Sequence, residues 1–282
     1  MSAISVRGLR KAYGDLEAVR GVDFEIEEGE VFGLLGPNGA GKTTTVEILE
    51  GYRTRDGGEV SVLGHDPQRP GPEFRQRIGV VLQHSELFPT LTVRETHRVF
   101  AGYYARPRDA DEVIALVGLE GKRDARVKTL SGGQKRRLDL GVALMGDPDL
   151  VFLDEPTTGF DPAARRAAWE MIRSLRGLGK TVLLTTHYLD EAEQLADRVA
   201  VLREGRVITV GTPRELTSAE LEVEIRYRRN GEEILVRTSE PTRTLNELTS
   251  DAIARGEELE RLEVRRPTLE EVYLSLLEEP GE

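Results

Sequence analysis

The run Gly36-Pro37-Asn38-Gly39-Ala40-Gly41-Lys42-Thr43 matches the pattern G-x-x-x-x-G-K-[ST]. It lies between an apolar segment, Val31-Phe32-Gly33-Leu34-Leu35, and a segment from Lys42 to Leu49 that reads as a helix. Glycines at this spacing let the backbone curl so that successive N–H groups point inward, an arrangement that cradles phosphate oxygens. A helix starting at Lys42 adds its positive end to the same spot. Lys42 then reaches β- and γ-phosphates, the Thr43 hydroxyl suits Mg²⁺, and Thr44 offers a further hydroxyl. Elsewhere, Leu150-Val151-Phe152-Leu153-Asp154-Glu155 is an apolar run finishing in two carboxylates. A strand alternates its faces, so adjacent acids diverge and take different tasks. Asp154 suits Mg²⁺ or its water, and Glu155 suits the proton of an attacking water.

A third constellation, Leu130-Ser131-Gly132-Gly133-Gln134, precedes an amphipathic helix that begins with Lys135-Arg136-Arg137. Small residues there leave backbone amides and the Ser131 hydroxyl open to an anion at a helix N-terminus. This pentapeptide, ahead of an acid-ended strand and downstream of the phosphate loop, resembles the signature of the ATP-binding cassette (ABC) ATPases. The resemblance covers roughly Ile4 to Glu215. It implies an α/β P-loop NTPase ABC ATPase domain with a RecA-like core, an antiparallel β subdomain and a helical subdomain. It also implies roles for single residues. Tyr13 resembles the aromatic that stacks on adenine. Gln83, after Val80-Val81-Leu82, resembles the glutamine that contacts Mg²⁺ or the attacking water. His187, after Leu183-Leu184-Thr185-Thr186, resembles the histidine that binds the γ-phosphate. Asp161, in Thr158-Gly159-Phe160-Asp161-Pro162, resembles the acid of the loop that crosses to a second subunit. In that family ATP lies between the phosphate loop of one subunit and the signature of another, so the resemblance implies a homodimer with Ser131 and Gly133 acting across it. Two positions depart from the family pattern. Phe160 replaces a usual leucine, and Gly141-Val142 stands where many relatives carry Ala-Arg, a change for which the sequence offers no physical reason.

The elements that must position these residues are legible in outline. Ile4, Val6 and Leu9 form one alternating run, and Val22, Phe24 and Ile26 another. Val80-Val81-Leu82, Leu150 to Leu153, Thr181 to Leu184 and Val199 to Leu202 read as short buried strands among helical patterns, which predicts an α/β domain with a largely parallel sheet. From Thr92 to Gly118 the pattern is helical, with Val93, His97, Phe100, Tyr103 and Tyr104 at three- and four-residue spacing. The expected ABC domain is 1–217, with its helical subdomain at about 84–146, and a small C-terminal α+β domain spans 218–282. In that second domain Leu221-Val223-Ile225-Tyr227 alternates, Ile234-Leu235-Val236 comes after the Asn230-Gly231 turn, a helix is expected at Thr242 to Arg255, a strand at Leu259 to Val264, and a helix at Leu269 to Leu277.

Composition bounds the partners. Hydrophobic residues make up 38% of 282, ample for a packed core, and there is no cysteine. A net charge of −11 disfavours nucleic acid as the main partner. No apolar run is long enough to span a bilayer and no basic-then-apolar leader is present, so a membrane role needs a separate permease subunit and a place at the cytoplasmic face of the membrane. The segment Pro267-Thr268-Leu269-Glu270-Glu271-Val272-Tyr273-Leu274 resembles the ending of ABC-2 class exporter ATPases, a class that includes daunorubicin-type drug-resistance exporters. That resemblance implies export of a drug, lipid or other amphipathic molecule. A soluble ABC ATPase is the first alternative, disfavoured by the single cassette and the acidic balance. A non-hydrolysing, ATP-gated regulatory subunit is the second, disfavoured by Glu155 and His187.

Overall fold

Continuous apolar strands need cover on both faces, and the arrangement of the chain supplies it. The computed structural model describes residues 2–83, 86–218, 222–229, 231–265, 268, 270, 271 and 273. The chain divides into two compact units, Met1–Val210 and Gly211–Glu282. The first contains β1 (Ser2–Tyr13), β2 (Leu16–Glu27), β3 (Val31–Leu35), α1 (Lys42–Leu49), β4 (Gly57–Val62), α2 (Pro72–Arg77) and β5 (Ile78–Val81). Next come α3 (Val93–Ala101), α4 (Ala110–Leu116), α5 (Gly132–Leu144), β6 (Leu150–Asp154), α6 (Pro162–Gly177), β7 (Thr181–Thr186), α7 (Leu189–Leu195), β8 (Arg198–Arg203) and β9 (Arg206–Gly211).

A six-stranded sheet has the order β5-β6-β7-β3-β8-β9, and β5, β6, β7, β3 and β8 are parallel where they pair. Every residue of β3 and β7 is buried. Alternation sends Phe32, Leu34, Leu150, Phe152 and Leu183 into one core with the strands of a second, antiparallel sheet of order β2-β1-β4. Phe24 of β2 stacks on Phe32 of β3, their ring centroids 5.5 Å apart. Val31, Val151, Leu153, Val182 and Leu184 point the other way, into a core shared with Leu138, Leu144, Ile172 and Leu175 of α5 and α6.

The helical stretch expected from Thr92 to Gly118 resolves into two helices. Thr92 starts α3 through a reciprocal cap with Glu95, and α3 ends at Ala101 before Gly102. Pro107 lacks an N–H, and Asp109 starts α4 afresh by accepting bonds from the Asp111 and Glu112 amides.

Packing between α3 and α5 explains the unusual Gly141. His97 of α3 is fully buried, its Nδ1 2.8 Å from the Val93 carbonyl, to which it donates. Its Nε2 is therefore the unprotonated nitrogen, and it is buried without a hydrogen-bond partner. A Cβ on Gly141 would lie 2.4 Å from that Nε2 and 3.3 Å from Cε1. Alanine cannot occupy 141 while His97 stands in place, so His97 and Gly141 fit one another. Burial also holds the His97 pKa below its ordinary value, against the opposing pull of the Val93 bond.

In the second unit α8 (Pro213–Ser218) precedes β10 (Val223–Arg229), β11 (Glu232–Thr238), α9 (Pro241–Arg255) and β12 (Glu260–Arg265), with sheet order β11-β10-β12. The β10 and β11 register sets Ile225 against Val236 and Tyr227 against Ile234. The turn at Asn230-Gly231 falls partly outside the described residues, with Gly231 at φ 84°. The helix expected at Leu269 to Leu277 falls mostly outside them.

Gly141→Ala is expected to overpack this contact and cost about 1–3 kcal/mol of stability. Adding His97→Ala should recover part of that loss, so denaturant midpoints of the two single variants and the double variant should be non-additive. Additive losses would show that the two positions do not interfere.

Candidate active site

Parallel strands all present their C-terminal ends at one edge, and ligands of open α/β sheets bind there. β3 ends in the loop Gly36 to Gly41, β6 in Asp154 and Glu155, β7 just before His187, and β5 two residues before Gln83. Adjacent strands thus bring together residues far apart in sequence.

The loop has little room for side chains where it bends. Gly41 has φ 99°, and a Cβ there would sit 2.4 Å from the Ala18 carbonyl oxygen. At Gly36 it would sit 2.4 Å from the Leu202 carbonyl oxygen. Gly41 caps α1 without a side-chain hydrogen bond, which leaves the first amides of the helix facing the loop. Pro37, Asn38 and Gly39 are exposed, while Ala40 is buried and its carbonyl accepts from the Gly205 amide at 3.0 Å. Lys42 is 6% exposed and donates from Nζ to the carbonyls of Gly36, at 2.7 Å, and Pro37, at 3.2 Å. Burial lowers its pKa, and the charges of Glu155 and Asp154 oppose that shift. Thr43 is exposed and Thr44 half-buried. Thr45, fully buried, ties its hydroxyl to the Gly41 carbonyl at 2.9 Å.

The two acids diverge as the alternation requires. Asp154 accepts the Thr185 hydroxyl at 2.5 Å. Glu155 adopts φ 44°, a left-handed conformation that costs a non-glycine residue about 1–3 kcal/mol. Its amide is held by the Thr185 carbonyl at 3.2 Å and the Thr185 hydroxyl at 3.0 Å. Its carboxylate gathers three groups: Gln83 donates to Oε2 at 2.9 Å, Thr158 donates to Oε2 at 3.1 Å, and His187 Nδ1 lies 3.3 Å from Oε1. The His187 ring packs on Tyr188, with centroids 4.1 Å apart.

Other expected residues stand apart from this cluster. Ser131 caps α5, accepting from the Gln134 amide at 3.3 Å while Gln134 Oε1 accepts from the Ser131 amide at 3.0 Å. A cavity of about 250 Å³ beside them is lined by Ser131, Gly133, Gln134, Phe160 and Ala164 among others, and by no residue of the phosphate loop. Gly132 is exposed at the first turn of α5. Asp161 caps α6, its Oδ1 accepting from the Ala163 and Ala164 amides, each at 2.9 Å. Tyr13, at the end of β1, has Arg53 at 5.3 Å and Lys11 at 5.6 Å from its ring centroid.

Sequence reasoning missed Thr185, Thr158 and Glu50. Thr185 lies in an apolar strand and reads as filler, although its one hydroxyl serves both acids. Glu50, just past α1, is 6% exposed, and its pKa is raised to about 8 by burial first, then by Asp154 and Glu47. Nothing in its local sequence marks it.

The donor set fits Mg²⁺ with a nucleotide. Thr43, Asp154 and Gln83 offer hard oxygens but few carboxylates, the pattern of an ion that keeps waters and phosphate oxygens as its other ligands. No cluster of three or more His, Cys, Asp or Glu suited to a metal occurs among the described residues. A glycine cradle and an anchored lysine after β3, with two acids at the end of β6 in the same parallel sheet, define a P-loop nucleoside triphosphatase.

Comparison with known proteins narrows the class. The ABC transporter family matches residues 19–158. A Nod factor export ATP-binding protein I of Burkholderia orbicola is 46% identical over 226 residues, covering 78% of this chain and 74% of that protein. Its namesake in Cupriavidus metallidurans is 43% identical over 266 residues, covering 92% and 86%. Among solved structures, a dimeric ATP-binding cassette in a post-hydrolysis state with ADP and Pi aligns with TM-score 0.66 at 26% identity, covering 74% of this chain and 98% of its own. The ATP-binding subunit of an ABC transporter aligns with TM-score 0.71 over 98% of this chain and 100% of its own; at 24% identity it speaks for the fold alone. This chain belongs to the ATP-binding subunits of the ABC transporter family and is an ATPase.

Because Glu50 is raised from an ordinary value near 4.5 to about 8, its contribution to stability is fully present below pH 4.5 and is lost as pH rises through 8. Urea unfolding of wild type and Glu50→Gln at stepped pH should show the variant gaining relative stability across that window, by up to a few kcal/mol. A pH-independent difference would place Glu50 in solvent-like surroundings.

Proposed function

We propose that this chain is the ATP-hydrolysing subunit of an ABC exporter, acting as a head-to-tail pair with a second copy of itself. The observation that carries the reading is the division of the site. The Gln83–Glu155–His187 cluster follows β5, β6 and β7 at the same sheet edge as the phosphate loop, whereas the signature opens on a pocket without any phosphate-loop residue. A γ-phosphate needs its charge met on several sides, and one chain offers only part of that surround.

In this mechanism the amides of Gly36 to Gly41 and the first turn of α1 hold the β- and γ-phosphates. Lys42 exchanges the two loop carbonyls for phosphate oxygens. Thr43, Asp154 and Gln83 would hold Mg²⁺, which would supply neutralisation of developing phosphate charge. Glu155 takes a proton from the attacking water, Gln83 orients that water, and His187 contacts the γ-phosphate. Tyr13 stacks on adenine, displacing Arg53 or sharing the ring with it. Ser131 and Gly133 serve the nucleotide of the other copy, and Asp161 sits on the loop between the two sites. Binding thus favours the closed pair, and hydrolysis reopens it.

Export as the direction is supported by the Nod factor export proteins of Burkholderia orbicola and Cupriavidus metallidurans to which this chain is similar. No helix among the described residues is long and apolar enough to cross a membrane, in agreement with a separate permease. The cargo is then a drug, lipid or other amphipathic molecule, moved from a position at the cytoplasmic face of the membrane. The segment 211–282 is proposed to be an accessory domain that stabilises or regulates the pair.

Glu155→Gln should lower ATP turnover by about 10²–10⁴-fold while ATP binding persists. Sedimentation of that variant with ATP at micromolar concentration, permease present, should show the pair. A monomer under those conditions, or turnover at the wild-type rate, would sink the reading.

A further inference from the structure

Arg136 lies in the first turn and a half of α5, two residues past Gln134 of the signature. Its guanidinium reaches three backbone carbonyls outside that helix. Nη1 donates to Leu82 O, Nη2 to Asp154 O at 2.8 Å, and Nε to Pro156 O at 3.2 Å. Leu82 immediately precedes Gln83, and Asp154 and Pro156 flank Glu155. One planar fork therefore grips the backbone beside both residues whose side chains meet at 2.9 Å.

The grip falls where the backbone most needs it. Glu155 is in the left-handed region, and its amide is anchored from β7 by Thr185 alone. Two residues on, Thr157 donates to the buried Glu191 of α7 at 2.7 Å. These anchors tie the turn to the sheet and to α7. Arg136 adds a tie to the helix that carries the signature.

We propose that Arg136 is a positioning residue that locks the Gln83–Glu155 pair to the signature helix of its own chain, so that α5 cannot shift without moving the catalytic base. In the paired arrangement, on which this second half rests, α5 presents Ser131 to the partner site's nucleotide. Arg136 then makes turnover at one site answer to occupancy of the other, by a contiguous set of hydrogen bonds rather than by distance.

Arg136→Lys keeps the charge but cannot place donors on three diverging carbonyls, and Arg136→Gln, a second variant, keeps one short amide donor and no charge. Expected for both are ATP affinity within about threefold of wild type, kcat lowered by about tenfold or more, as small misplacements cause, and a Hill coefficient for ATP falling to one. Amide hydrogen exchange at residues 155–160, measured without nucleotide, should accelerate. Wild-type kcat in both variants overturns the proposal, as does a loss of kcat with exchange at 155–160 unchanged. ATP-driven pairing of Glu155→Gln is measured separately. If pairing fails there, only the cross-site half falls with the proposed function, while kcat and exchange still decide the positioning role.

Discussion

Parallel pairing of β5, β6, β7 and β3 is the constraint on which the site depends. Their register sets Val81 beside Leu153, Leu153 beside Leu184, and Leu184 beside Gly33, so the four strands end nearly level. The residues just past the end of each strand must therefore meet those just past the ends of its neighbours. Gln83, Glu155, His187 and the phosphate loop are neighbours for that reason, and a slip of one residue would turn Asp154 and Glu155 to exchanged faces. The apolar alternation of Phe32, Leu34 and Phe152 against Val31, Val151 and Leu153 prevents the slip, because each set has its own core to fill.

Within that frame the charges are arranged at a cost. Lys42 is buried and loses basicity, and its ammonium rests on two loop carbonyls. Glu155 is bent into a conformation suited to glycine, at the position where the proposed mechanism needs a carboxylate. Strain of this kind persists only where surrounding groups over-determine it. Here Thr185, Arg136 and the Thr157–Glu191 bond supply that over-determination.

The legible part of the site was the part written in local pattern. The phosphate loop needs glycines at fixed steps, and the acids need an apolar strand ahead of them, so both show in a short window. The strands β3, β6 and β7 show for the same reason. What stayed hidden depends on contacts between distant segments. Thr185 has value only because β7 lies beside β6, and Glu50 only because it is buried near Asp154. The helical spacing from Thr92 to Gly118 does not by itself mark where α3 ends, whereas Gly102 and Pro107 both disfavour a continuous helix. Gly141 was visible as an oddity but had no reason until His97 was found against it. β4 and β9 were not anticipated: β4 opens on two glycines and a glutamate, and no residue of β9 is fully buried.

The capping of the signature helix bears on how one chain would serve two nucleotides in the proposed pair. A hydroxyl has one proton to donate and two lone pairs to accept with. The Ser131 cap uses a lone pair, for the Gln134 amide, and leaves the proton uncommitted among the bonds the described residues make. The same cap fixes the Ser131 backbone through Gln134 Oε1. Helix α5 thus has its N-terminal backbone held in place, with one hydroxyl proton free to turn toward an anion, so little freedom would be lost on meeting one. In the proposed pair, pre-organisation of the donor half on α5, and of the half on the sheet edge, leaves association of the two halves as the step that a γ-phosphate would control.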